Sequence, residues 1–388
     1  MSYRIGVIGT GDSPENPDSS GYAMAYRHAP GYQRLDDCEL VACADIVRSN
    51  AEQFADTFDV PGVYEDYEVM LEEADVDVVS VCVPPDVHAD VVVGCAQYGD
   101  LEAIHCEKPM ATTWEACAGM GRACERKNIQ LTINHQRRTG PIYRRAKSLV
   151  ASGRIGTLER IEWTAKNLFD AGTHMFDLSC FYVDENEPEW VLAGLDYRTE
   201  NRQFGVHNEN EAVAEWAFEN GVTGHAVTGR GEEALGARLR LHGDEGTIEV
   251  GPVDGPPLRI RTDRSLGWSA VDAGETIWGN RKHVRLTGYV RWGVAVARER
   301  LRDRAGDDHR GYPSHVERAV RSVIEGVRTG QEPELSWRNA IRSTRLIFGA
   351  WESARRRARV DFPLEIDDNP LESMVENGQL LVSPSDNR

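Results

Sequence analysis

Two short stretches bring together side chains that can move a proton. The first is Ile104-His105-Cys106-Glu107-Lys108-Pro109-Met110. An apolar run from Leu101 to Cys106 reads as the end of a buried strand and stops at a charged pair and a proline. In a doubly wound parallel sheet a lysine there points into the crevice beyond the strand ends, and a buried amine with a lowered pKa suits proton transfer. The plainer alternative is a surface lysine beside a strand-stop proline, since lysine is rarely buried. The second stretch is Asp170-Ala171-Gly172-Thr173-His174-Met175-Phe176-Asp177. Asp170 and His174 share one face if the segment is helical, and Asp177 could fix the imidazole. A histidine paired with carboxylates is a general base near neutral pH. The alternative is a helix N-terminus capped by Asp170, with a buried, hydrogen-bonded His174. The D-x-x-x-H spacing also fits two ligands of a metal, but no third ligand is evident, so no metal is expected.

Elements able to position these residues can be read in order. Tyr3 to Ile8 is an apolar strand followed at once by Gly9-Thr10-Gly11. Glycines there let the backbone turn tightly and approach a pyrophosphate. Nine residues, Asp12 to Ser20, then separate Gly11 from Gly21, and Asp18-Ser19-Ser20 offers N-caps for a helix starting near Gly21. A second strand, Glu39 to Ala44, ends at Asp45. Its carboxylate can accept bonds from ribose hydroxyls and would repel a ribose phosphate, which favours NAD over NADP. Arg48 could reach a phosphate and points the other way. Each feature also has an ordinary reading, a strand–helix turn and a solvated acid.

Helical stretches Ser49 to Phe58, Tyr67 to Ala74, Val87 to Gln97 and Thr113 to Arg126 alternate with apolar strands Val76 to Val83, Leu101 to Cys106 and Ile129 to Ile133. That alternation is a doubly wound α/β fold. After Asn134 a helix, Pro141 to Ser152, precedes strands Leu158 to Ala165, Trp190 to Tyr197, Ala212 to Phe218, Thr223 to Thr228, Ala237 to His242 and Thr247 to Val250. They form a separate, mostly antiparallel sheet, with hairpin turns at Asn220-Gly221 and Gly243 to Gly246. Helices are expected at Leu178 to Tyr182, Tyr289 to Arg304, Ser314 to Arg328 and Trp337 to Arg357. The expected division is 1–134, 135–366 and a polar tail, 367–388, with little core.

A net charge of -19 over 388 residues argues against nucleic acid or an anionic membrane as partner. Lysine is scarce: five positions, 108, 127, 147, 166 and 282, against 39 arginines. An acidic, lysine-poor surface suits concentrated salt, which screens self-repulsion, and resembles that of haloarchaeal proteins. The eight cysteines form no CxxC pair, so free thiols in a reducing cytoplasm are expected. No signal peptide or membrane span is evident.

Three pieces together resemble the Gfo/Idh/MocA oxidoreductases: Gly9-Thr10-Gly11 after the first strand, Glu107-Lys108-Pro109, and D-x-G-x-H at 170 to 174. Val83-Pro84-Pro85 with His88, Ile133 to Arg138, Ser152 to Gly156 and Ser353-Ala354-Arg355 support the likeness, which spans residues 3 to 365. The resemblance implies an N-terminal Rossmann domain and a C-terminal α/β domain whose large open sheet buries a face in a homo-oligomer, dimer or tetramer. It implies NAD or NADP as cofactor and a sugar, polyol or sugar derivative oxidised or reduced at one carbinol. His174 would take the hydroxyl proton, Lys108 would hold the same oxygen and Asp170 would orient the substrate. Gly9, Thr10, Gly11, Asp45 and Arg48 would bind the dinucleotide, and Glu107, Pro84 and His88 would line its nicotinamide side. Lys166-Asn167-Leu168-Phe169, shorter than the glycine-rich connection of many members, would form part of the substrate wall, with Lys166, Asn167 and Arg137 as contacts. An enzyme holding its cofactor for transient oxidation, or a non-catalytic dinucleotide-binding regulator, are the alternatives on the same fold.

Overall fold

The computed structural model describes residues 2–15, 23–98, 101–231, 233–275, 277 and 313–380. The cap Asp18-Ser19-Ser20 and the helix Tyr289 to Arg304 expected from the sequence lie outside the described residues.

Six strands form a wholly parallel sheet: β1 (Tyr3–Ile8), β2 (Cys38–Ala44), β3 (Gly62–Tyr64), β4 (Val78–Val81), β5 (Ala103–Cys106) and β6 (Gln130–Ile133), in the order β3-β2-β1-β4-β5-β6. Ile5, Val7, Val78, Val79, Val81 and Ile104 are fully buried. Layers on both faces explain why these strands read as continuous apolar runs. The layers are α1 (Ala25–Gln33), α2 (Arg48–Phe58), α3 (Tyr67–Glu73), α4 (His88–Cys95) and α5 (Trp114–Arg126). Asp66 caps α3 by accepting from Glu68 N at 2.8 Å, and Thr113 caps α5 by accepting from Ala116 N at 3.2 Å. Strand order reverses between β1 and β4, which opens a crevice at their carboxyl ends.

After α6 (Pro141–Ala151) comes a nine-stranded sheet. Its strands are β7 (Leu158–Ala165), β8 (Pro188–Asp196), β11 (Glu211–Phe218), β12 (Thr223–Thr228), β13 (Ala237–Gly243), β14 (Gly246–Pro252), β15 (Leu258–Thr262), β16 (Ser269–Ala270) and β17 (Val360–Asp361). A ribbon of β9 (Arg202–Gln203) and β10 (Val206–His207) stands apart. The order is β16-β15-β14-β13-β7-β12-β11-β8-β17, and only β7 and β12 run parallel. The turns at Asn220-Gly221 and Gly243 to Gly246 join β11 to β12 and β13 to β14 as expected.

One face of this sheet is covered by α7 (Thr173–Tyr182) and α9 (Trp337–Arg356). Every residue of α7 is buried, so its polar His174 and Asp177 masked a helix longer than the expected Leu178 to Tyr182. Trp163, Phe176 and Trp216 meet there, with ring centroids 4.7–5.9 Å apart. On the opposite face Glu215, His225, Glu162, Arg240, Glu249 and Arg259 stand in cross-strand register. Arg240 and Arg259 both bind Glu249, at 2.7 and 2.5 Å. Opposite charges in register stabilise a sheet face.

Two C-terminal segments depart from the sequence reading. Helix α8 (His315–Thr329) returns to the first sheet, where Val320, Val323 and Ile324 complete the core of Ile5, Val7 and Tyr32. The expected polar tail contains α10 (Pro370–Glu376), capped by Asn369, with Leu371 and Met374 buried. One apolar pair three residues apart is too short a pattern to stand out in an acidic segment.

A Cβ on Gly224 would lie 1.9 Å from the Trp216 indole. We expect Gly224→Ala to destabilise the chain by about 1–3 kcal/mol, read as a lower denaturation midpoint at fixed salt.

Candidate active site

The loops at the carboxyl ends of β1, β4, β5 and β6 line one crevice. After β1, Gly9 and Gly11 hold φ of 81° and 63°. A Cβ on Gly9 would sit 2.8 Å from Val83 N, whereas one on Gly11 meets nothing within 4 Å among the described residues. The turn is therefore pressed against the loop after β4 at Gly9. A backbone-only cradle of this kind fits the pyrophosphate of a dinucleotide. Asp45, at the end of β2, accepts from Gly11 N at 2.8 Å and from the Thr10 hydroxyl at 3.2 Å. Arg48 is paired with Glu52 at 2.9 Å on the exposed side of α2.

Beyond β4, Pro84 is exposed and precedes a short turn, Pro85–Val87. His88 does not line the crevice as expected. It is fully buried, with Nδ1 2.8 Å from Pro109 O and Nε2 2.8 Å from Val83 O. The ring sits between the loop after β4 and the loop after Lys108, and in its neutral form one nitrogen donates to one of these two carbonyls. Burial pulls its pKa down.

Glu107 also turns inward rather than toward a nicotinamide. Its Oε1 lies 2.8 Å from His28 Nε2 and accepts from Asn134 Nδ2 at 2.6 Å. Burial favours the neutral acid, but bonding to His28 and Asn134 outweighs it and holds the carboxyl at about 2. His28 on α1 is fully buried; burial favours its neutral form, but Cys82 and Glu107 raise it to about 10.

Lys108 is not a surface lysine. Its Nζ donates to Asp170 Oδ1 at 2.8 Å and to Asp170 O at 3.1 Å, and both side chains are largely buried. Asp170 lies in the turn before α7, so it reaches across to Lys108 instead of sharing a helix face with His174. His174 occupies the first turn of α7 and is 5% exposed. Its Nδ1 has no hydrogen-bond partner among the described residues. Burial, then the charges of Arg137 and Lys108, hold the imidazole well below its ordinary pKa and therefore neutral.

Asp177 does not fix His174. It accepts from Arg138 Nε at 2.6 Å and lies 3.1 Å from His135 Nδ1. The buried Arg138 guanidinium has the stronger claim on a buried carboxylate. His135 Nε2 meets the Thr173 hydroxyl at 2.9 Å, and its ring lies 5.8 Å from that of His174. The sequence reading gave no role to His28, Asn134, His135 or Arg138. Asn134, His135 and Arg138 follow the apolar β6, whereas His28 lies inside the polar α1 and carried no such signal.

Of the expected substrate contacts, Arg137 is half-buried, with Nη1 3.0 Å from Met175 Sδ. Lys166 is exposed at the end of β7. Asn167 is buried and its Oδ1 accepts from Ala171 N at 2.8 Å, leaving Nδ2 without a partner among the described residues. Leu168 and Phe169 do not form a substrate wall. Both are in the core, Phe169 with its ring 5.4 Å from Trp351. Glu209, a buried carboxyl raised by desolvation, anchors Leu168 N at 2.6 Å and fixes this connection inward.

Comparison with known proteins agrees with this architecture. The family model of the Gfo/Idh/MocA oxidoreductases with an NAD-binding Rossmann fold matches residues 3–135, and that of their C-terminal alpha/beta domain matches residues 161–362. The chain is 24% identical over 372 residues to a myo-inositol 2-dehydrogenase of Thermotoga maritima, covering 92% of this chain and 98% of that one. It is 23% identical over 369 residues to a D-apiose dehydrogenase of Paraburkholderia graminis, covering 90% of each. An NAD binding oxidoreductase from Klebsiella pneumoniae superposes with a TM-score of 0.71 at 18% identity, over 94% of this chain and 100% of that one. A levoglucosan dehydrogenase in complex with NADH and levoglucosan superposes with a TM-score of 0.71 at 20% identity, with the same coverage. With a glycine cradle on one sheet, a lysine–aspartate–histidine set between the two, and both halves matched, the chain belongs to the Gfo/Idh/MocA family of oxidoreductases.

Proposed function

We propose that this protein is an NAD(P)-dependent dehydrogenase acting on one carbinol of a sugar, polyol or sugar derivative. The observation that carries the reading is the convergence of the Lys108 amine, held by Asp170, with a neutral His174 at the mouth of the dinucleotide crevice. A bound nicotinamide supplies the hydride acceptor. His174 removes the hydroxyl proton, and because Nδ1 is sealed in, Nε2 does so. Lys108 donates to the same oxygen and stabilises its growing negative charge. Asp170 holds and aims the amine. Arg137 and Asn167, at the edge of this set, are the substrate contacts we favour. Residues 1–134, with α8 packed on their sheet, hold the dinucleotide and supply Lys108, and the rest of 135–366 supplies the other substrate contacts.

The Asp45 carboxylate at the glycine turn, with Arg48 engaged by Glu52, supports NAD as the preferred cofactor. Eight free thiols support a reducing cytoplasm. No described helix is long and apolar enough to cross a membrane. The sheet face that no described helix covers, with Leu192 and Val213 exposed beside its charge rows, supports a homo-oligomer, and the net charge of -19 supports a protein that works in concentrated salt.

Reduced-nicotinamide absorbance in concentrated potassium chloride, with NAD or NADP and a panel that includes myo-inositol, D-apiose and levoglucosan, tests the activity. Reduction with one carbohydrate group, faster with NAD, is expected. Silence across the panel from protein that carries tightly held dinucleotide would overturn net oxidation in favour of internal redox.

Lys108→Ala should lower kcat on the order of 10²-fold while the NADH Kd, read by fluorescence, stays within about threefold. Parallel loss of both would remove the role given to Lys108.

A protonated His174 cannot accept the hydroxyl proton, and its lowered pKa moves protonation to lower pH. The acid limb of kcat/KM should therefore lie below pH ~6.5, the ordinary histidine value, with activity retained at that pH. A limb above it would contradict the neutral base.

A further inference from the structure

Beneath the crevice, between the parallel sheet and α1, lies a polar layer that the proposed chemistry does not use. His28, Ser80, His105, Glu107 and Asn134 are all buried there. His28 Nδ1 is 3.1 Å from the Ser80 hydroxyl, which in turn is 2.8 Å from the Tyr32 hydroxyl. His28 Nε2 is 2.8 Å from Glu107 Oε1, and the His28 and His105 rings lie 5.0 Å apart. His105 and Glu107 are two residues apart along an extended strand end and face α1 together, so Lys108 is delivered to the opposite side. Its backbone N donates to Glu107 Oε2 at 3.2 Å.

We infer that His28 is a positioning residue for Lys108: by holding the Glu107 carboxylate on the α1 side of the sheet, it keeps that carboxylate from ion-pair contact with the Lys108 amine, which is left to Asp170. The inference rests on the role given to Lys108 above. A buried carboxylate without its cation must find water or another cation. The nearest of both is the crevice, where the charged groups are Lys108, Asp170 and Arg137 around neutral His174. A second carboxylate there would compete with Asp170 and with substrate for the amine. His28 sits on the helix that follows the glycine turn, so the same residue ties the dinucleotide cradle to the end of β5.

The five lysines make the test direct. Selective ¹³C labelling of lysine leaves each amine unmodified, and Lys108→Arg identifies the Lys108 Cε resonance by its loss. In His28→Asn, folded by circular dichroism, the Lys108 titration should move up by about one pH unit, as when a carboxylate approaches an amine. kcat should fall on the order of 10²-fold, as for a misplaced catalytic group, with the NADH Kd nearly unchanged. Adding Glu107→Gln to His28→Asn should return the titration to its original place, which a merely structural loss would not do. Should His28→Asn not fold, His28→Gln, which keeps a donor and drops the charge, should give a smaller rise of the same sign. An unmoved Lys108 titration in a folded variant, or a double variant that does not revert, would overturn the inference. If the unaltered protein oxidises nothing on the panel, the dehydrogenase reading fails while the Lys108 titration still decides this one.

Discussion

The contact between Lys108 and Asp170 joins two sheets at one point. The lysine leaves the end of a parallel strand, and the aspartate stands in the turn that leads from β7 of the second sheet into α7. Neither charge is placed well by its own element. A lysine pointing out of a strand end needs a counter-charge once burial removes its water, and an aspartate in a buried turn needs a cation. Each answers the other only when the two sheets are docked. Such a pair adds little net stability, because desolvation offsets attraction, but breaking it leaves a buried charge alone. It therefore acts chiefly as a register mark for how the halves meet, and that register brings the turn before α7 to the crevice that the parallel sheet opens.

Charge around the crevice is partitioned. The carboxylates that could have bound His174 are engaged elsewhere: Asp170 with Lys108, Asp177 with Arg138 and His135. What surrounds His174 is positive, so its ring stays neutral and basic. Below the sheet, Glu107 is given to His28 in the same manner. Three acidic side chains around the site, Asp170, Asp177 and Glu107, are thus kept to separate partners. A layer of buried histidines and arginine does this in a chain whose overall charge is strongly negative.

The second sheet serves the site through its covered face and leaves the other for different work. Tryptophan and phenylalanine side chains on the covered face seat α7, which carries His174. On the opposite face, alternating acids and arginines in cross-strand register neutralise one another, with Glu249 held between two guanidinium groups. Local pairing of this kind survives salt better than distant surface charge, because partly buried pairs are less screened.

Much of this was legible from the residues. Continuous apolar runs announced the parallel strands, alternation and Asn-Gly announced the hairpins, and Gly9, Lys108, Asp170 and His174 stood out as polar or flexible residues where such elements end. The motif intervals pointed to one family, and the family has the fold observed. Partner choice was not legible. Sequence spacing placed Asp170 and Asp177 beside His174, yet side chains pair by distance in the folded state, and the partners that claimed them come from positions 108, 135 and 138. His88 and Glu107, marked as ligand-facing, turned to main-chain carbonyls and to His28, because a strand end alternates its faces and only one opens on the crevice. Leu168 and Phe169 went into the core and α8 crossed back to the first sheet because their apolar side chains found a face to bury against there. Pattern and composition determine which elements form and where reactive side chains sit along them. Which way each side chain faces, and which charge it meets, is decided only when the two sheets close on each other and remove the water between them.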